Sequence, residues 1–305
     1  MLTQPVLGLT LGGGGARGGA HIGVLRVLEE IGYRPAVITG TSIGGVIAAL
    51  VAAGWSAADI ERLTGEINFN ELLQLDRTGS GLITNAALEA ELVRLFGSAD
   101  LRDFPIRTGL IAADISNGQT VLLDKGPVVQ AVLATTAVPG LFPPVRWNDR
   151  LLVDGGVVSN VPTQAAYLLG AECLVAVELG GNLNVGIALN DVGSFSKRLQ
   201  RILYWLLSLS HRQVAFDVLM QANILSYATL VKYELAAYPP DVLIRPTLPP
   251  VGLIAMEHLR DTIEPGERAA REVADDIRRV MQQPHPVDVD STPLPRLVIA
   301  DPPAA

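Results

Sequence analysis

Residues 6–46, VLGLTLGGGGARGGAHIGVLRVLEEIGYRPAVITGTSIGGV, decide the fold. Val6 to Leu11 is a short apolar run of strand type, and Ala36 to Thr39 is a second. Between them a glycine-rich turn opens a helix from about Ala20 to Ile31. Ile22, Leu25, Val27 and Leu28 give that helix a broad apolar face. The second strand ends at Gly40-Thr41-Ser42, and a further helix runs from Ile43 to about Ala53. Strand, loop, helix, strand, turn, helix predicts a parallel sheet with right-handed crossovers.

The rest of the composition agrees. The 305 residues are 49% hydrophobic and 18% charged, enough apolar material for a sizeable core and too much for a disordered chain. Aromatics are only 5%, so the core is built mainly from Ala, Val, Ile and Leu. That suits strands covered by helices on both faces, an α/β fold with a mainly parallel central sheet. The formal charge of −8 argues against nucleic acid as a partner and against purely electrostatic docking on anionic lipid. Hydrophobic, peripheral contact with a membrane stays open. The single cysteine, Cys173, lies in an apolar run, excludes an intramolecular disulfide and reads as a small buried hydrophobe. No basic region precedes the apolar start, and no apolar stretch approaches the ~20 residues of a membrane span. The expectation is a cytoplasmic protein.

Further along, Ser56 is placed to cap a helix through Ile60 and Leu63, and Asn85 to Phe96 and Val128 to Thr135 read as helices. Gly109 to Ile115 and Gln119 to Leu123 flank Asn117-Gly118, a hairpin signal that expects both turn residues at positive φ. Leu151 to Val153 reads as a strand, then a helix begins near Pro162 and a strand covers Leu174 to Glu178. Ser194 to about Tyr227 reads as mostly helical, Val242 to Ile244 as a strand, and Pro265 to Met281 as a closing helix. Residues 1–283 are expected to form one domain, and the Pro-rich tail 284–305 to be loosely ordered.

Three motifs carry chemistry. Gly40-Thr41-Ser42-Ile43-Gly44 is a G-x-S-x-G between a predicted strand and a predicted helix. A nucleophile elbow needs Gly40 and Gly44 because a Cβ in so tight a turn collides with neighbouring backbone. It places the Ser42 hydroxyl at a helix N-terminus, where an anion is favoured. Read alone, the same letters also describe a tight turn with a capping serine. Gly12 to Gly19 (GGGGARGG) follows the first strand. Its consecutive glycines let backbone N–H groups converge on an anion, phosphate or oxyanion, and Arg17 adds a positive charge that either shapes the loop or assists the anion. Gly13, Gly15 and Gly18 also fit the dinucleotide pattern G-x-G-x-x-G, which makes a nucleotide-binding oxidoreductase the competing reading. That reading wants an acidic residue ending the second strand; here the strand runs into Gly40-Thr41-Ser42, and Glu29 and Glu30 lie inside the helix. Asp154-Gly155-Gly156 follows a short strand and, alone, is most simply a turn.

In this order the three motifs form a specific set, and with them the chain resembles the patatin-like phospholipases of the bacterial and neuropathy-target-esterase type. Ala134 to Val145 (ATTAVPGLFPPV) shares the resemblance, which extends to about Pro246. It implies a three-layer α/β/α fold and a Ser–Asp dyad in place of a triad. Ser42 would attack an acyl ester and Asp154 take its proton. Gly13, Gly14 and Gly15, with Arg17 close by, would hold the oxyanion, and Gly40, Gly44, Gly155 and Gly156 would support the turns. The implied substrate is a phospholipid, lysophospholipid or other small acyl ester, with no cofactor. A protein that keeps this fold for regulation without turnover is the second alternative.

A conventional triad would need a histidine after the aspartate, from His211, His258 or His285. None has a glycine-flanked strand-end setting, and His21, near the nest, is expected to be structural. The apolar helix around Leu199 to Leu219, with Tyr204 and Trp205, reads as core packing, a lid, a homodimer face or a membrane contact. No Cys/His cluster or calcium-loop spacing points to a metal.

Overall fold

The computed structural model describes residues 5–72, 74–75, 81, 83–180, 213–282 and 297–303. In chain order its elements are β1 (Leu7–Leu11), α1 (Gly19–Glu30), β2 (Val37–Thr41), α2 (Ile43–Ala52), α3 (Ala57–Glu66) and α4 (Phe69–Leu72). A small ribbon, β3 (Gln74–Leu75) and β4 (Ile83–Thr84), precedes α5 (Ala86–Phe96), β5 (Arg107–Asp114), β6 (Gln119–Leu123) and α6 (Val128–Thr135). Then come β7 (Val145–Trp147), β8 (Arg150–Asp154), α7 (Thr163–Leu168), β9 (Cys173–Val177) and α8 (Gln213–Ala237). The last are β10 (Val242–Ile244), α9 (Ile263–Glu272), α10 (Ala274–Val280) and β11 (Val298–Ile299).

The central sheet has the order β10-β9-β1-β2-β5-β6-β11, with β8 also paired to β5 and to β7. The run β10-β9-β1-β2-β5 is parallel throughout, as crossover connections demand. The chain therefore has an α/β fold with a mixed, mostly parallel central sheet. Successive side chains leave a strand on opposite faces. Leu9, Leu11, Ile38, Leu110, Val175 and Val177 pack in the large cluster that includes α1, α2, α6 and α9. Val37, Leu174, Ile111 and Ala176 face α7 and α8 instead. Helices thus cover both faces in three layers. Cys173 is a free, buried thiol in β9.

Local signals explain several boundaries. Ser56 caps α3 through a reciprocal box, its hydroxyl accepting from the Asp59 N–H while the Asp59 carboxylate accepts from the Ser56 N–H. Other expectations change. The Asn117-Gly118 hairpin forms, but its loop spans four residues, because Asp114 pairs with Gln119. Only Gly118 has positive φ, at 72°. The Asp114 carboxylate accepts from the Ser116 N–H and side chain and from Asn117 Nδ2, and so holds the longer turn. A second hairpin, β7–β8, was not expected; its turn carries Asn148 at φ 55°. The closing helix divides at Val273 into α9 and α10. The tail is not loose over residues 297–303. There β11 pairs in parallel with β6, the Trp147 indole N–H donates to the Asp301 carbonyl at 2.7 Å, and Ala300 is buried. An unpaired edge strand and a buried indole without an acceptor would both be costly, and this segment serves both. Among the described residues no helix is long and apolar enough to cross a membrane. The helix expected from Ser194 runs instead through Gln213–Ala237 in its described part; Tyr204 and Trp205 lie outside the described residues.

Candidate active site

Ser42 sits between β2 and α2 with φ 55° and ψ −128°. That conformation is disfavoured for any residue with a Cβ and costs on the order of 1–3 kcal/mol, so surrounding contacts must hold it. They do. A Cβ on Gly40 would strike the Gly44 carbonyl, and one on Gly44 would strike the Leu11 carbonyl, so both elbow glycines allow backbone approaches that no other residue permits. The Ser42 N–H donates to Thr135 Oγ1 at 3.0 Å, and the Thr135 hydroxyl donates to the Ile111 carbonyl at 2.6 Å. The Ser42 carbonyl takes the Gly45 and Val46 N–H groups and starts α2. The side chain is thereby left at the positive end of a helix.

Asp154 ends β8, opposite Ala112 of β5. Its N–H donates to the Ala137 carbonyl at 2.9 Å, and its Oδ1 accepts the Gly156 N–H at 2.8 Å. The side chain is buried, and burial raises its pKa to about 6 from the usual 3.8. A hydrogen bond from the Ser42 side chain and the one from Gly156 oppose that rise. Two residues more than a hundred positions apart in the sequence thus lie close enough for the Ser42 side chain to hold the Asp154 carboxyl down.

The glycine nest lies over this pair. A Cβ on Gly13 would stand 3.2 Å from the Ser42 Cβ. The expected donors do not stand alike. The Gly13 N–H is spent on the Asn160 carbonyl at 3.0 Å, as the Gly12 N–H is on Val177. Gly14 and Gly15 are partly exposed, and their N–H groups have no partner among the described residues. Gly15, at φ 56°, lets the chain turn beneath Leu253, whose carbonyl takes the Ala16 N–H at 2.9 Å. Arg17 is nearly buried. Its backbone N–H holds the Gly14 carbonyl and its Nε donates to the Val251 carbonyl at 3.1 Å, contacts that shape the loop.

His21 has a structural place. Its Nε2 donates to the Gly12 carbonyl at 2.8 Å, its Nδ1 has no partner among the described residues, and burial lowers its pKa to about 4. The ring is neutral and its Nε2 is spent on the loop. His258 is exposed and pairs with Asp261. His211 and His285 lie outside the described residues.

Four participants escaped the sequence reading. Thr135 supports the Ser42 N–H, Asn160 holds Gly13, and Tyr227 of α8, its phenol pushed upward by burial, lies near enough to Asp154 for that charge to add to the rise. Glu234, also on α8, accepts the Ser159 hydroxyl at 2.6 Å, and burial raises its pKa to about 8. The available signal was polarity inside apolar runs. Thr135 stands in VLATTAVPG and Asn160 in VVSNVP, each beside a recognised motif. Tyr227 and Glu234 gave no such signal.

A family model described as patatin-like phospholipase matches residues 9–167, which contain the glycine nest, Ser42, Thr135, Asp154 and Asn160 but neither Tyr227 nor Glu234. The chain is 30% identical over 296 residues to a patatin-like phospholipase domain-containing protein of Caenorhabditis elegans, ZK370.4, covering 91% of this chain and 21% of that one. It is 30% identical over 186 residues to lysophospholipase NTE1 of Candida albicans, covering 59% of this chain and 13% of that one. It is 31% identical over 187 residues to an uncharacterized NTE family protein of Mycobacterium tuberculosis, Rv1063c, covering 59% of this chain and 51% of that one. The match thus spans between 13% and 51% of the length of these relatives. Among solved structures, VipD of Legionella pneumophila shares the fold at TM-score 0.50 and 15% identity, covering 89% of this chain and 67% of that chain.

Proposed function

The chain belongs to the patatin-like phospholipase family, and from that premise we propose that it is a serine hydrolase of lipid acyl esters, phospholipid or lysophospholipid, working through Ser42 and Asp154. The observation that carries this reading is the strained Ser42, held at a helix N-terminus beside the buried carboxyl of Asp154. Activated nucleophile, base and preorganised donors are the parts an acyl transfer needs.

In the first half-reaction Ser42 Oγ bonds to the ester carbonyl carbon while Asp154 takes its proton. The carbonyl electron pair moves to oxygen, and the Gly14 and Gly15 N–H groups receive that charge. Collapse breaks the ester bond, and Asp154 returns the proton to the departing alcohol or lysolipid. In the second half-reaction Asp154 takes a proton from water, the hydroxide adds to the acyl carbon, and collapse frees the fatty acid as Ser42 recovers its proton. A carboxyl that titrates near 6 suits this work, being mostly ionised at pH 7 yet more basic than an ordinary aspartate. Gly13 contributes position, since its own N–H is engaged. Each lost oxyanion donor is expected to cost about 2.7–4 kcal/mol of transition-state stabilisation.

The test is hydrolysis of p-nitrophenyl esters of rising chain length and of micellar lysophospholipid, by wild type, Ser42→Ala and Asp154→Asn. Turnover by wild type and none by either folded variant is the expected result. Equal activity in Ser42→Ala overturns it. A folded wild type inert on every substrate, micelles included, favours the non-catalytic alternative.

A further inference from the structure

We propose that Asn160 is a positioning residue of the oxyanion site, gripping Gly13 by both backbone groups so that the Gly14 N–H is aimed at the acyl oxygen. The inference rests on the acyl-hydrolase reading above. Asn160 takes the Gly13 N–H on its own carbonyl at 3.0 Å, and its Nδ2 donates to the Gly13 carbonyl at 3.3 Å. Within the described chain this side chain alone is bonded to the Gly13 carbonyl. All peptide bonds described are trans, so the C=O of Gly13 and the N–H of Gly14, which share one peptide plane, point in opposite directions. Fixing that carbonyl toward Asn160 turns the Gly14 N–H away from it, and that N–H, like that of Gly15, has no partner among the described residues.

The need for such a grip follows from the sequence. Four consecutive glycines, Gly12 to Gly15, have the widest conformational freedom a chain offers, and donors that must be preorganised cannot be left to it. Asn160 is itself well anchored. Val158 and Ser159 donate to the Gly155 carbonyl and fold the turn after Asp154. The Ser159 and Pro162 carbonyls accept the hydroxyls of Thr41 and Thr39. The amide is buried, and a Cβ on Gly156 would lie 3.1 Å from its Oδ1, so it fits between the loop of Asp154 and the loop of the nest. One side chain thus sets the distance between base and oxyanion donors.

Asn160→Ala in the full chain is the test, with Asn160→Asp as a variant of the same shape that replaces the donor with an acceptor. Three readouts are taken: ester kinetics, inhibition by an alkyl trifluoromethyl ketone whose Ser42 adduct carries an oxyanion, and hydrogen exchange over residues 12–15. We expect kcat to fall about 100- to 1000-fold, the cost of one misplaced oxyanion donor, with KM within threefold. Inhibitor affinity should fall in parallel and exchange should quicken. If Asn160→Ala unfolds, Asn160→Asp carries the same expectations. A folded variant within threefold of wild-type kcat, or one that loses kcat while keeping inhibitor affinity, overturns the proposal while leaving the hydrolase reading intact. If Ser42→Ala is fully active, the hydrolase reading has failed and this proposal with it. Unchanged exchange at residues 12–15 refutes the grip in either case.

Discussion

Replacing Thr135 by valine changes one hydroxyl into a methyl of nearly the same size and tests what holds the Ser42 elbow. The hydroxyl has two partners, the Ser42 N–H at 3.0 Å and the Ile111 carbonyl at 2.6 Å, and Thr135 has no exposed surface. Valine leaves both backbone groups without a partner. A buried orphan costs about 1–3 kcal/mol, and the Ser42 side, being partly buried, belongs at the low end. The sum is roughly 2–4 kcal/mol. It matches or exceeds the 1–3 kcal/mol of strain typical of a conformation such as that of Ser42, so the elbow should relax rather than persist. The assay is urea unfolding together with ester kinetics. We expect a stability loss of roughly 2–4 kcal/mol and kcat down at least about 100-fold, with KM little changed. Thr135→Ser keeps the hydroxyl and loses only the methyl that packs on Gly45, so it should recover most of the activity at a cost of about 1 kcal/mol. A valine variant within about 0.5 kcal/mol of wild type and fully active would refute this account of the elbow.

Three other outcomes are expected. Asp154 must be ionised to act as a base, so kcat/KM should rise with unit slope through about pH 6 and level off above it; a profile flat from pH 5 to 8 would remove Asp154 from that role. Glu234 keeps its proton in the folded state up to about pH 8 but releases it near 4.5 when unfolded, so its stabilisation is present at low pH and is lost as pH rises toward 8. Between pH 7 and 8 Asp154 is ionised and His21 mostly neutral in both states, which leaves a decline of at most about 1.4 kcal/mol over that unit for Glu234. Glu234→Gln should flatten that decline in urea unfolding. Ser42→Gly should be inactive yet more stable by about 1 kcal/mol, because glycine adopts φ 55° without a steric penalty; a lower melting temperature would show that Ser42 is not strained.

What the sequence determined by itself was local. Gly40 and Gly44 mark the elbow because a turn that brings a Cα against the Gly44 or Leu11 carbonyl tolerates no Cβ. Ser56 and Asp59 announce the start of α3 because a helix end must satisfy its own N–H groups within a few residues. The runs at 6–11, 36–39 and 174–178 announce strands for the same near-neighbour reason, each within a residue or two of the strand that forms. What only the tertiary structure decided depends on partners far along the chain. Asp154 reaches Ser42 because β8 lies antiparallel on β5 in one register, and its raised pKa comes from packing that no short window contains. The nest looked uniform as four glycines, yet the Asn160 carbonyl takes the Gly13 N–H, while those of Gly14 and Gly15 have no partner among the described residues. Residues 297–303 read as part of a loose proline-rich tail, and β6 turns out to need them as a neighbour. Steric demands on the backbone are written residue by residue, whereas hydrogen-bond partners and desolvation are assigned only when distant segments close on one another.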